Sequence, residues 1–376
     1  MNAKPPQTWK CEHTLKEHTA SVNAVAIDPQ GNILASGSDD RTVSLWDLKT
    51  GKRIFTFFGL LNAVFSVAFN PRTPFLVSGD FDNTITCWNL DTNAVRSFSG
   101  RSGTNNAHSS SIFSVAFTSD GENLASGSAD QTIKIWNIPR WVSTRTLRGH
   151  TDTVWSIAIS PDGQILASAS ADKTIRIWPL NSWDEPRILI GHSGWVTSVA
   201  IGHNGQILAS ASQDSTIKLW NLNTLKLLCT LSGHSAAVWS VVFSPNRQLL
   251  GSAGKDGVKL WNLSTGELLH TLSGRHPIAF SPDGKTLVTG GDGTNIKIWR
   301  QYVPATESAP NPVLSGEWYS ILCVDKLASP EEVKLAYRRL IKQYHPDINR
   351  AANAKDIMQA INEAYAKFEE GARGEF

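Results

Sequence analysis

The sequence predicts an all-β propeller of seven blades followed by a small all-α domain. Three observations predict it. First, a segment of the form S-x-x-x-D-x-T-I-x-I-W recurs and ends at Trp46, Trp88, Trp136, Trp178, Trp220, Trp261 and Trp299. The spacings are 42, 48, 42, 42, 41 and 38 residues, the period of a four-stranded blade and too long for ankyrin or tetratricopeptide helices. Second, stretches such as TVSLW, TIKIW and TIRIW alternate β-branched with polar residues at strand period. Turns fall between such stretches at PQGN, SDGE, PDGQ, HNGQ and PDGK, where glycine takes the positive φ of a tight turn. Third, the aromatic residues segregate: every tyrosine lies beyond residue 300, and every tryptophan except Trp318 lies before it. The expected organisation is a propeller over residues 8–300, a Pro-rich linker over 301–316 and a helical domain over 317–370.

Composition narrows the function classes. A net charge of +2 with interspersed charges gives no basic face of the kind that binds nucleic acid. The opening MNAKPPQTWKCEHTL lacks the apolar core of a secretory signal, and no apolar run approaches the roughly 18 residues of a membrane span. Cys11, Cys87, Cys229 and Cys323 form no CxxC pair, and Cys11 with His13 is two ligands short of a metal site. The expectation is a cytoplasmic protein with reduced thiols, no metal or cofactor, and no nucleic-acid or membrane partner.

The clearest repeat, GHTDTVWSIAISPDGQILASASADKTIRIW at residues 149–178, resembles the WD-repeat family. That resemblance implies a buried tetrad of His, Ser, Asp and Trp in each blade. The chemistry is coherent. An indole N–H must find an acceptor when buried, a serine hydroxyl can accept it and pair with His, and a turn Asp accepts from His and from backbone N–H groups. The matching sets are His18, Ser36, Asp40, Trp46; then Ser78, Asp82, Trp88; and His108, Ser126, Asp130, Trp136. They continue as His150, Ser168, Asp172, Trp178; His192, Ser210, Asp214, Trp220; and His234, Ser252, Asp256, Trp261. Blade two has Leu60 in place of His, and blade six lacks one turn residue. Blade seven is short and has Gly293 in place of Asp, so it is expected to be frayed. These histidines and aspartates read as structural and not catalytic. Little chain follows Trp299 before the prolines, so residues 8–15 are expected to supply the last outer strand and close the ring.

In the same family the innermost strand begins just after the Gly-His pair, and its early residues rim the channel. Positions five after the His, or its equivalent, are Asn23, Phe65, Phe113, Trp155, Thr197 and Trp239, with Trp195 projecting to the same rim. Period-two alternation sends Val64, Ile112, Val154, Val196 and Val238 into the blades and their neighbours away. Phe65, Phe113, Trp155, Trp195 and Trp239 are therefore expected to gather on one face as a surface for a protein or peptide client.

Beyond the linker, Ser329-Pro330-Glu331-Glu332 reads as a helix start with a capping box. Val333, Ala336, Tyr337, Leu340, Ile341 and Tyr344 form one apolar face, and Lys334, Arg338, Arg339 and Lys342 form a basic stripe off it. Pro346 ends the helix at His345. A second helix, roughly AKDIMQAINEAYAKF, turns Ile357, Met358, Ile361, Ala364, Tyr365 and Phe368 inward. EWYSILCV, AYRRLIKQYHPD and INEAY together resemble the J-domain of DnaJ-type co-chaperones, with Cys323 where that family has Gly. The zinc repeats and the Gly/Phe region of larger DnaJ proteins are missing, as is a fourth helix. The resemblance implies that Lys334, Arg338, Arg339 and Lys342 steer onto an acidic surface of a DnaK-type ATPase chaperone. His345, Pro346 and Asp347 would then promote its ATP hydrolysis. The chain is expected not to be an enzyme: it has no phosphate-cradling Gly loop and no nucleophile elbow. A protein-interaction scaffold with a non-stimulating J-domain is the alternative, and a propeller enzyme a third reading.

Overall fold

A computed structural model describes residues 8–99, 107–140, 142–202, 204–302, 317–322, 324, 326, 328–344 and 354–373. They divide into two compact units, one of them Trp9–Gln301. In that unit, among the described residues, 28 strands form seven four-stranded sheets. Six sheets use four consecutive strands each. The seventh runs Thr8–Leu15, Ile296–Tyr302, Thr286–Gly290, Arg275–Phe280, so the N-terminal strand is its outer strand and the ring is closed as the sequence implies.

Residue size sets how closely the blades approach. Second strands such as Ile165–Ser170 (ILASAS) are buried almost throughout, because each lies between two strands of its own sheet and under the neighbouring blade. A Cβ on Gly37 would come within 2.5 Å of Val64 Cγ1, and one on Gly79 within 2.6 Å of Ile112 Cγ2. The inner strands are also pinned one to the next. The N–H groups of Val115, Ile157, Val199 and Val241 donate to Ser66, Ser114, Ser156 and Ser198 in the preceding blade, at 3.0–3.2 Å.

Five tetrads are complete. In blade four His150 Nε2 lies 2.7 Å from Ser168 Oγ, His150 Nδ1 lies 2.7 Å from Asp172 Oδ2, and Trp178 Nε1 donates to Ser168 Oγ at 2.8 Å. The sets on His18, His108, His192 and His234 repeat this pattern, including blade six with its shortened turn. Blade two breaks it. Leu60 leaves the Ser78 hydroxyl buried without a partner, and Trp88 is held by packing against Phe57.

Blade seven corrects the expectation of fraying. It is a full four-stranded sheet in which Thr289 replaces the serine and accepts the Trp299 indole N–H at 3.0 Å. The N-terminal strand stabilises it. Trp9 is buried against Phe280, and Arg300 reaches Glu12 at 2.9 Å and the Leu48 carbonyl at 2.8 Å, joining the first and last blades.

The second unit holds three helices among its described residues: α1 (Trp318–Ile321), α2 (Pro330–Tyr344) and α3 (Ala354–Arg373). The capping box forms as read: Glu332 Oε2 accepts from the Ser329 N–H at 2.8 Å and its hydroxyl at 2.9 Å. Val333, Leu340 and Tyr344 pack with Ile357, Ile361 and Ala364. Two differences from the sequence reading appear. The segment EWYSILCV contributes a short helix to this core through Ile321 and Leu322. The last helix continues about one turn past Phe368, because Glu369–Arg373 are helix-compatible residues with no breaker but Gly371.

Two outcomes follow. Deleting residues 1–15 removes Trp9 and exposes strand Ile296–Tyr302, so the truncated chain should aggregate and lose its cooperative melt; Trp9→Ala alone should cost about 3–5 kcal/mol. Light scattering and thermal unfolding check both. The tetrads also make stability depend on pH. Burial holds the His192 and His234 imidazoles below their ordinary 6.5, and Asp214 and Asp256 oppose this without reversing it. The unfolded chain therefore binds protons that the native blades refuse, and stability falls as pH drops through 6.5. Burial works to raise the Asp214 carboxyl, but hydrogen bonds from Thr216 and His192 outweigh it and hold it at about 2. That contribution is present above the ordinary carboxylate value of 3.8 and is lost as pH falls toward 2. The melting temperature should fall steadily from about pH 7.5 to about pH 3, and an unchanged value across that range would contradict the burial argument.

Candidate functional site

The channel rim is built from a backbone irregularity. Val22, Val64, Ile112, Val154, Val196 and Val238 open the innermost strands and are buried in the blades. Directly after each, the ladder to the second strand shifts register. Val64 faces Asp80 but Ser66 faces Gly79, and the other five strands skip one residue in the same place. The skipped residues are Asn23, Phe65, Phe113, Trp155, Thr197 and Trp239, the six rim positions of the sequence. Each sits at a β-bulge, which leaves the extra residue outside the ladder and re-aims its side chain.

The two polar bulge residues tie blades together. The Asn23 amide donates to the Val64 carbonyl at 3.2 Å, and the Thr197 hydroxyl to the Val238 carbonyl at 2.5 Å. The aromatic ones meet each other. Ring centroids lie 4.8 Å apart for Phe65 and Phe113, 4.4 Å for Phe113 and Trp155, and 6.2 Å for Trp155 and Trp239. Trp195 stacks on Trp155 at 5.9 Å, on the same blade as the small Thr197. All five predicted rim aromatics thus form one cluster, with Trp195 39% exposed and the other four half-buried by one another. Trp155 Nε1, in the middle, is buried and has no partner in the protein, which leaves a donor unsatisfied.

Sequence reasoning missed two further members. His276 continues the cluster from Trp239 at 6.0 Å, and Phe81 from Phe65 at 6.1 Å. A signal for Phe81 was available: it occupies a turn position that the other tetrad blades fill with Asp39, Ala129, Ala171, Gln213 and Lys255. Phe81 is exposed, as are Leu61 and Phe58 near the start of blade two, which like blade seven has no tetrad histidine.

In the helical unit, burial of Val333, Ala336, Leu340 and Tyr344 leaves Lys334 and Arg338 exposed on the other side of α2, together with Leu335. Tyr337 stacks on Tyr365 at 4.0 Å and donates to Asn362 Oδ1 at 3.0 Å, fixing α2 against α3. The side chains of Arg339 and Lys342, and all of His345, Pro346 and Asp347, lie outside the described residues. Among the described residues no three His, Cys, Asp or Glu side chains gather as metal ligands, and burial pushes the Cys87 thiol up to about 12.

Fold and sites together define a seven-bladed propeller protein with an appended helical domain, and comparison with known proteins agrees. The family described as WD domain, G-beta repeat matches residues 9–47, 51–89, 100–137, 141–179, 183–221, 225–262 and 266–300. The family described as DnaJ domain matches residues 317–371. The WD repeats take up most of the sequence: the chain belongs to the WD-repeat family and carries a C-terminal DnaJ domain. Neither is a catalytic domain. Over 52 residues the chain is 54% identical to the chaperone protein DnaJ of Rippkaea orientalis, a match covering 14% of each. It is 50% identical over 50 residues to chaperone protein DnaJ 2 of Thermus thermophilus, covering 13% of this chain and 18% of that one. It is 52% identical over 52 residues to protein Mut11 of Chlamydomonas reinhardtii, covering 14% of each. The chain thus spans less than a fifth of the length of each of these relatives.

Proposed function

We propose that this chain is a J-domain co-chaperone that stimulates a DnaK-type ATPase and whose propeller holds a protein or peptide client. The observation that carries the reading is the DnaJ match together with the division of α2 into a buried apolar face and an exposed face bearing Lys334 and Arg338. A cationic helix face steers an acidic partner surface and raises the association rate in a salt-sensitive way. Arg339 and Lys342 extend the same stripe in sequence, and His345, Pro346 and Asp347 follow it as the element that acts on the ATPase. The chain itself performs no catalysis in this reading, needs no cofactor, and works in the cytoplasm. It engages neither nucleic acid nor a membrane.

The client site in this reading is the cluster of Phe65, Phe113, Trp155, Trp195 and Trp239. Aromatic rings offer large contact area at little rotamer cost and dominate binding hot spots. The unsatisfied Trp155 N–H would supply a hydrogen bond to a client carbonyl once the rings part.

The test is steady-state ATP hydrolysis by a DnaK-type chaperone with the purified chain. Stimulation is expected, with His345→Gln removing it while helicity by circular dichroism stays the same. Equal rates with and without the chain would favour the alternative, a scaffold with a non-stimulating J-domain. For the client site, replacing Trp155, Trp195 and Trp239 together by Ala should abolish capture of client peptides and leave ATPase stimulation unchanged. Retained capture would move the client site elsewhere on the propeller.

A further inference from the structure

At the opposite end of the strands from the aromatic rim, blade four departs from the repeat. In blades one, two, five and six the outer strand starts seven positions after the tryptophan, as from Trp220 to Leu227. In blade four Trp178 is followed by Arg187 at the ninth position. The longer connection carries Trp183, which is 82% exposed, the most of any large apolar side chain described. The repeat length is unchanged, with 14 positions from Trp178 to His192 as from Trp220 to His234, so the connection is longer because the outer strand Arg187–Ile190 is shorter.

Trp183 is held in place. The Arg145 guanidinium, on the outer strand of blade three, lies 4.4 Å from the indole centroid. Its Nη1 donates to the carbonyls of Pro179 and Leu180 at 3.1 and 3.5 Å, so the same side chain anchors the root of the loop. Between this loop, the outer strand of blade three and the turns of blades three and four lies a cleft of about 500 Å³. Its wall includes Asp120, Asn123, Asp162, Gln164, Asn181 and Ser182 beside Trp183. Within their own turns Asp120 and Asp162 bond through Oδ1, to Thr118 and Glu122 and to Ser160 and Gln164. The second oxygen of each carboxylate is left to accept from a guest.

The lining selects the guest by elimination. Two carboxylates repel phosphates, and the one guanidinium gives its Nη1 to the loop carbonyls and keeps its Nε buried without a partner, out of a guest's reach. A second cation gains little from an indole that already faces one. An apolar peptide would strip water from carboxylates and amides without replacing their bonds. What remains is a neutral molecule with many hydroxyls and one apolar C–H face. Such a face suits the electron-rich surface of an indole, and its hydroxyls donate to carboxylates and accept from amide N–H groups.

We propose that this cleft binds a neutral oligosaccharide, stacked on Trp183 and hydrogen-bonded through Asp120 and Asp162. The site is separate from the client surface and does not depend on the co-chaperone reading.

The experiment screens the full chain on a printed panel of neutral glycans and measures hits by saturation-transfer NMR. Transfer to the C–H protons of one sugar face is expected. Trp183→Ala should weaken binding about tenfold or more, and Trp183→Phe should restore part of it. Asp162→Asn should weaken it while the melting temperature stays as in the parent chain. The proposal is overturned if no neutral glycan binds, if Trp183→Ala keeps full affinity, or if inositol hexakisphosphate or trilysine binds the cleft more tightly than any neutral sugar.

Discussion

A propeller blade cannot bury both faces of its sheet alone; it needs a blade on either side, and the last needs the first. In this chain that demand falls on eight residues, Thr8–Leu15, which travel with the first blade in sequence and with the seventh in space. Trp9 against Phe280, Glu12 with Arg300, and Arg300 on the Leu48 carbonyl make the joint. The joint also explains why blade seven tolerates the loss of its tetrad. Its cluster of Leu287, Trp299 and Phe280 is completed by Trp9 from the other end of the chain, so packing replaces the missing His–Asp pair.

Within the closed ring, the inner strands serve two purposes at neighbouring positions. The valine or isoleucine that opens each of the six strands enters the blade core and the bulged residue next to it faces away, and in blades two to five a serine after that accepts the next blade's N–H. Three consecutive residues thereby fill the core, furnish the rim and set the blade spacing. The bulge allows the rim residue to vary freely. Asn23 and Thr197 spend it on inter-blade hydrogen bonds, while Phe65, Phe113, Trp155 and Trp239 spend it on an aromatic cluster.

The opposite end of the strands follows a different logic. There the turns are short and uniform, and blade four departs from uniformity with a shorter outer strand, an exposed indole, and an arginine from blade three that anchors it. The helical unit differs again. Its short core leaves Lys334 and Arg338 exposed on the outside of α2, and its charged side chains stand on a helix surface and not in a cleft.

Much of this was legible in the residues. The blade count, the five complete tetrads, the closing strand and the capping box at Ser329 follow from short-range patterns whose physical partners recur at fixed offsets. The rim positions were legible too, but for an incomplete reason: simple alternation named Phe65 and Trp155, whereas a register skip is what turns them. A bulge leaves no mark in one strand, because it is defined by the partner strand's register. The same holds for His276 in the aromatic cluster, for the regularity of blade seven, and for the Arg145–Trp183 pair. Sequence fixes which elements form, since that depends on neighbours along the chain. Which side chains then meet depends on how one sheet settles against the next, and only the packed ring decides that.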